Sequence, residues 1–228
     1  MTTREGTPGA GTEIFMQRMR ILQVKLREIG TYQPHIFKTE FLPQQYLDIG
    51  WGGKDTEDVA LFGSEIRVKV LQDKPNYIFE TAPDVFYTIL AFDADHPEGV
   101  YLLWIRTNIC GDVKFASGKD IVRWQQPQPQ KGESFVRRVF FAVFSQVKET
   151  SHSAIISKNQ ISGRKNFNVE KCMSDYELKH IIGVNCATVK YDPSVDQTIA
   201  DLRDIVGLDP SGKKILYEVH EGKRKDYQ

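Results

Sequence analysis

Phe86-Tyr87-Thr88-Ile89-Leu90-Ala91-Phe92, the turn Asp93-Ala94-Asp95-His96-Pro97-Glu98-Gly99 and the run Val100-Tyr101-Leu102-Leu103-Trp104-Ile105 decide how this chain folds. A third run, Val136-Arg137-Arg138-Val139-Phe140-Phe141-Ala142-Val143-Phe144, follows a polar connection. Each run is apolar, aromatic and β-branched, about six to nine residues long, and bounded by turn formers, so each predicts a central strand of one sheet.

Working outward, Tyr46-Leu47-Asp48-Ile49 and Ile66-Arg67-Val68-Lys69-Val70 give shorter strand signals, with Gly50, Gly52, Gly53 and Gly63 as turns between them. Pro75-Asn76-Tyr77-Ile78-Phe79-Glu80 is a further strand before the central hairpin. Regular short strands with turn punctuation predict a mostly β protein with a few helices, a sandwich or barrel. The Gln-Pro-rich segment Gln125 to Gly132 reads as an extended loop, because proline removes ladder donors. Residues 150–170 are polar and read as a surface excursion. Ser174 and Glu177 have capping-box spacing and predict a helix to Ile182, stopped by Gly183. Val184 to Tyr191 predicts a strand. Asp192-Pro193 then opens a last helix with Val195, Ile199, Leu202 and Ile205 on one face and Gly207 at its end.

The ends are different in kind. Residues 1–12 are rich in Gly, Thr and Pro and read as disordered. Ile14 to Ile29 predicts an amphipathic helix, with Thr12 as N-cap and Gly30 as its stop. Phe15, Met19, Leu22, Leu26 and Ile29 form its apolar stripe, and Arg18, Arg20, Lys25 and Arg27 lie among them. The favoured reading docks this helix on its own domain or on a partner. A mitochondrial targeting helix is the second reading, opposed by Glu5 and Glu13, and a membrane-surface helix the third. Residues 208–228 carry Lys213-Lys214 and Lys223-Arg224-Lys225, which read as a solvated tail or as an arm for a partner or for RNA phosphates.

Composition narrows the classes. The chain has 228 residues and is 40% hydrophobic, enough for one large domain with extensions. Its 30 basic and 30 acidic residues cancel, which removes a global drive toward phosphate polymers. Cys110, Cys172 and Cys186 form no CxxC pair, and an odd count is a poor disulfide framework, so a reducing compartment is expected. No apolar run reaches membrane-spanning length and no secretory leader is read. GxSxG, Walker, HExxH and GxGxxG patterns are lacking, and the histidines show no metal spacing. No cofactor, metal or catalytic residue is therefore expected.

The central stretch resembles the phosphatidylethanolamine-binding protein (PEBP) family across roughly residues 41–207. Tyr87-Thr88-Ile89 leads into Asp93-Ala94-Asp95-His96-Pro97 as the family's Y-T-L strand leads into D-P-D-x-P. The second strand ends at Thr107-Asn108 and the third at Ser145-Gln146, in the family's order. The resemblance implies a PEBP-like β-sandwich over 41–207, an added N-terminal extension and helix over 1–40, and a basic tail over 208–228. It also implies a small anion pocket at Asp93, Asp95, Pro97, Tyr101, Arg137 and Arg138, bordered by Gln128-Pro129-Gln130-Lys131-Gly132. The family's pocket histidines fall on Leu102, Leu103 and Arg137, so the pocket is expected to be degenerate.

Two states of that pocket are open. Arg137 holds an anion through its planar fork, or Asp93 and Asp95 pair internally with Arg137 or Arg138 and neutralise the site. The second is favoured. His96, in the turn, reads as surface polar. The extensions and lost histidines together resemble the PEBP-like protein of the mitochondrial large ribosomal subunit. That likeness implies a non-catalytic structural role in the mitochondrial matrix, with ribosomal proteins and rRNA as partners. The alternative is a free, cytoplasmic regulator of a kinase or protease that binds an anion or phospholipid head group. A scaffold tolerates a filled pocket and is expected to expose an apolar stripe at Phe15, Leu22 and Ile29.

Overall fold

The computed structural model describes residues 10–53, 56–110, 118–151 and 163–193. The last predicted helix and the basic tail lie outside the described residues, as do residues 1–9 and most of the excursion after residue 150. The three apolar runs form β5 (Phe86–Asp93), β6 (Tyr101–Cys110) and β8 (Arg137–Gln146). They sit side by side in a six-stranded sheet of order β3-β9-β8-β5-β6-β7, with β3 (Ser64–Glu65), β7 (Lys119–Val122) and β9 (Leu178–Val189) completing it. Among the described strands only β3 runs parallel to its neighbour. A smaller antiparallel sheet, β2-β1-β4, is built from β1 (Asp48–Gly53), β2 (Thr56–Val59) and β4 (Asn76–Ile78).

Why the central strands read as continuous apolar runs is now plain: both faces of the large sheet are covered. Successive strand side chains point to opposite faces. Ile89, Ala91, Leu103, Val139, Phe141 and Val143 pack with Ile49 and Trp51 of the small sheet. Their alternating neighbours Leu90, Phe92, Leu102, Phe140, Ala142 and Phe144 pack with Met19, Leu22 and Leu26 of α1 (Ala10–Glu28) and with Val169 and Cys172 of α2 (Val169–Asp175). The protein is thus mostly β, a two-sheet sandwich with the N-terminal helix laid on the outer face of its large sheet. All three cysteines are free thiols. Among the described residues no helix is long and apolar enough to cross a membrane.

Several local expectations are corrected. The helix predicted from Ser174 to Ile182 instead spans Val169–Asp175, capped by Asn168, whose Oδ1 accepts from Lys171 N at 2.8 Å. Residues 178–182 are drawn into β9 because they pair along β8, with Phe144 opposite Ile181 and Gln146 opposite Leu178. A row of ladder bonds outweighs one cap. The strand predicted at Ile66–Val70 is a short 3-10 helix at Val68–Gln72, burying Val68 and Leu71 on one side. Gly50, Gly52 and Gly53, expected as turns, lie within β1. Thr12 is inside α1 and not at its cap, since the helix starts at Ala10. Arg164, in the stretch predicted to be a surface excursion, is fully buried.

The helix stripe docks on its own domain, as the favoured reading expects. Met19, Leu22 and Leu26 are at most 2% exposed, while Phe15 is 43% exposed. The stripe at Leu22 is therefore not the exposed surface that a scaffold was expected to show. Leu26→Ala should lower unfolding free energy by about 2–4 kcal/mol. Ile21→Ala, on the helix's outer side, should change it by less than about 0.5 kcal/mol. Urea denaturation of both variants measures the difference, and equal costs would mean that α1 is not docked.

Candidate functional site

The predicted pocket lies where β5 ends and β8 begins. Asp93 faces Tyr101 on one side and Val139 on the other through the ladder. Arg137 opens β8 with a side chain that is fully buried. Its Nη1 donates to Asp93 Oδ2 at 3.0 Å, and its Nε donates to Glu133 Oε2 at 2.8 Å. Its Nη2 donates to Glu133 Oε1 as well. Both edges of the guanidinium fork are thus engaged by carboxylates of this chain.

Arg138, one residue on, points to the opposite face. Its Nε and Nη2 donate to the two oxygens of Asp95 at 2.8 and 2.6 Å, a bidentate pair. The Asp95 carboxylate also accepts from the Arg138 backbone N–H at 2.8 Å. The remaining arginine donors go to the end of α1 and the turn that follows it: Nη1 donates to Ile29 O at 3.0 Å and Gly30 O at 3.1 Å, and Nη2 to Gln33 Oε1 at 3.4 Å. A cation on the last carbonyls of a helix is favourable through the helix dipole. Gly30 takes φ +70°, and a Cβ there would meet Arg138 Nη1 at 2.5 Å, so the close approach requires glycine.

The turn between β5 and β6 holds both acids. Asp93 Oδ1 accepts from Asp95 N at 3.1 Å, and Ala94 N donates to Arg138 O at 2.9 Å. Pro97 is exposed at the turn, apart from the ion pairs. His96 is not the surface residue expected from its turn position. It is half-buried and stacks on Tyr101 with ring centroids 4.7 Å apart. Tyr101 OH donates to Gln125 Oε1 at 3.3 Å, closing this end of the site with the Gln-Pro loop. The fold therefore brings Asp93, Tyr101 and Arg137 together on one face, places Asp95 with Arg138 on the other, and leaves Pro97 at the rim.

The electrostatics follow from burial and pairing. Burial pushes the Asp93 carboxyl up to about 6 despite the pull of Arg137. Burial also opposes ionisation of Asp95 and Glu133, but bonds from Arg138 and Arg137 outweigh it and hold both below the usual carboxylate range. Burial lowers His96 and raises Tyr101.

Leu102 and Leu103, at the places implied for the family's histidines, are buried and split between the two faces of the sheet. Neither can donate to a ligand. Sequence reading missed three residues. Glu133 lies four residues before Arg137, a spacing that is visible but uninformative inside a loop. Gln125 was hidden by the loop's composition. Arg164 Nη1 donates to Leu102 O and Leu103 O at 3.0 Å, and Nη2 donates to Arg123 O at 2.8 Å. Burial pulls its guanidinium down to about 10. No pattern in Gly163-Arg164-Lys165 announces that role. A shallow hollow of about 200 Å³ lies elsewhere, over the small sheet, lined by Asp48, Gly50, Val59, Leu61 and Asn76 among others.

The predicted site is thus a cluster of internal ion pairs at one end of a β-sandwich, with Asp93 and Glu133 on Arg137 and Asp95 on Arg138. No family model matches the chain. It is 31% identical over 145 residues to Protein TERMINAL FLOWER 1 of Arabidopsis thaliana, covering 60% of this chain and 75% of that protein. It is 33% identical over 87 residues to Protein SELF-PRUNING of Solanum lycopersicum, a match spanning 35% of this chain and about half, 48%, of that relative. The fold superimposes on the carboxypeptidase Y inhibitor solved in complex with its cognate proteinase, with a TM-score of 0.60 and 14% identity over 76% of this chain and 97% of that one. The last likeness speaks to the fold alone. The chain belongs to the phosphatidylethanolamine-binding protein family.

Arg137→Ala leaves Asp93 buried without its cation and should cost about 3–5 kcal/mol in urea denaturation. A cost below about 1 kcal/mol would place that pair outside the fold's essentials. The pH dependence has a definite sign. With a folded value near 6 and an ordinary unfolded value, Asp93 is protonated in the fold and ionised in the unfolded chain between roughly pH 4 and 6. Its contribution to stability therefore falls as pH rises through about 6. The stability of wild type relative to Asp93→Asn should drop over that window and flatten above it. A relative gain with rising pH would contradict the raised value.

Proposed function

We propose that this chain is a non-catalytic binding component of a larger assembly, and that the assembly is the large subunit of the mitochondrial ribosome. The observation that carries the proposal is the saturation of both pocket arginines by Asp93, Glu133 and Asp95. A bound anion would have to displace an internal carboxylate from each fork, and leucines stand where the family's imidazoles would help it. What remains to act is the surface. The N-terminal helix and the C-terminal tail are the elements outside the family core, and they meet neighbouring ribosomal proteins and rRNA phosphates. The net charge of +0 fits a peripheral subunit that contacts mainly protein. On this reading the protein works in the mitochondrial matrix and is not an enzyme.

The second reading is a free cytoplasmic regulator that binds a protease or kinase, or an anionic head group. One observation favours it: the carboxypeptidase Y inhibitor, which shares this fold, forms a complex with its cognate proteinase.

Gradient sedimentation of a lysate containing the tagged full-length chain separates the two. Co-migration with the large ribosomal subunit, lost on deleting residues 1–40 or 208–228, is the expected result. Migration at the mass of the free chain, or with a protease, would overturn the assembly reading.

A further inference from the structure

Helix α1 has a second apolar stripe that stays exposed among the described residues. Met19, Leu22 and Leu26 face the sheet, while Ile14, Ile21 and Val24 are 53%, 57% and 47% exposed. These three, with exposed Gln17, fall on the a and d positions of a heptad starting at Ile14: Ile14, Gln17, Ile21, Val24. The stripe is about 15 Å long at the helical rise. Its flanks are basic. Arg18 and Lys25 occupy the e positions, and Arg20 and Arg27 two of the g positions, all exposed. Arg18 and Arg20 make no ion pair among the described residues, whereas Lys25 pairs with Glu28 and Arg27 with Glu40. Glu13, at the N-terminal end, is the acid on these flanks.

We infer that this face docks one amphipathic helix of a partner, with an aliphatic stripe flanked by aspartate and glutamate. Charge complementarity selects that occupant. A second copy of α1 would set basic e and g positions against basic ones in either orientation, which repels. A nucleic acid would satisfy the arginines through phosphates but leave Ile14, Ile21 and Val24 uncovered. The helix is anchored for this role from behind, by its buried face and by Arg138 on its last carbonyls. The inference rests on the assembly reading only for the partner's identity; the face itself is a property of the isolated chain.

The test uses the full-length protein and two fluorescein-labelled helical peptides of equal length. Both carry a Leu/Ile stripe; one is flanked by Glu and the other by Lys. Fluorescence anisotropy should show saturable binding of the Glu peptide and none of the Lys peptide. Ile21→Asp and the pair Arg18→Glu with Arg20→Glu should each weaken Glu-peptide binding by at least ~10-fold. The charge-reversed pair should gain the Lys peptide. These side chains are exposed, so thermal melts should match wild type. Equal binding of the two peptides, no binding of either, or binding untouched by Ile21→Asp would overturn the inference. So would a single-stranded RNA or phosphatidylserine vesicles binding in the Glu peptide's place, or self-association abolished by Ile21→Asp. The Ile21→Asp chain run on the same gradient separates the two claims. Co-migration unchanged by the substitution sinks the docking face and spares the assembly, while a free wild-type chain that binds the Glu peptide does the reverse.

Discussion

The ion pair between Arg137 and Asp93 constrains everything around it. Both groups are essentially without solvent. Two charges taken out of water cost several kcal/mol each, and only tight geometry with further hydrogen bonds repays that. The chain offsets part of that cost from three directions, and the raised Asp93 carboxyl is the part left over. The turn after β5 holds Asp93 by its own backbone at Asp95. The ladder sets Arg137 at the start of β8, beside the end of β5. The Gln-Pro loop folds back to deliver Glu133 to the second edge of the fork. A loop ending in Glu133 and a turn beginning at Asp93 are thus parts of one buried charge cluster.

Strand alternation then makes the next residue do a different job. Because side chains at successive positions point to opposite faces, Arg138 emerges on the helical side of the sheet. There it holds Asp95 and the last carbonyls of α1 together. One dipeptide, Arg137-Arg138, closes the pocket on one face and fixes the N-terminal helix on the other. The proposed loss of ligand chemistry and the proposed docking surface thus meet at one dipeptide. Arginines that would have faced an anion secure the fold instead, and the helix they secure presents its outer stripe to solvent.

Much of this was legible in the chain. The central strands announced themselves because a sheet covered on both faces needs apolar residues at every position, as at Leu90-Ala91-Phe92 and Phe140-Phe141-Ala142. The pairing of Asp93 and Asp95 with the arginines followed from having two acids and two bases near one motif. What stayed hidden depends on long-range contact. Residues 178–182 look helical by local capping, yet pairing with β8 makes them strand. Gly50 and Gly52 look like turns because nothing local says that β1 will be paired on both sides. His96 looks exposed until Tyr101 supplies a ring to stack on. Arg164 could not be read at all, since its partners are backbone carbonyls of Leu102, Leu103 and Arg123, more than forty positions away. The outer stripe of α1 (Ile14, Ile21 and Val24) went unread, because the spacing of Phe15, Met19, Leu22, Leu26 and Ile29 had already supplied an apolar face.

The central claim is that the pocket's cations are already occupied from within. Side-chain NMR of the Arg137 and Arg138 Nε–H groups, followed as inorganic phosphate or phosphoethanolamine is added, tests it most directly. The account predicts slowly exchanging resonances that do not move, because each Nε donates to an internal carboxylate. A saturable shift of the Arg137 resonance would show an anion displacing Glu133 or Asp93, and the self-neutralised site would have to be given up.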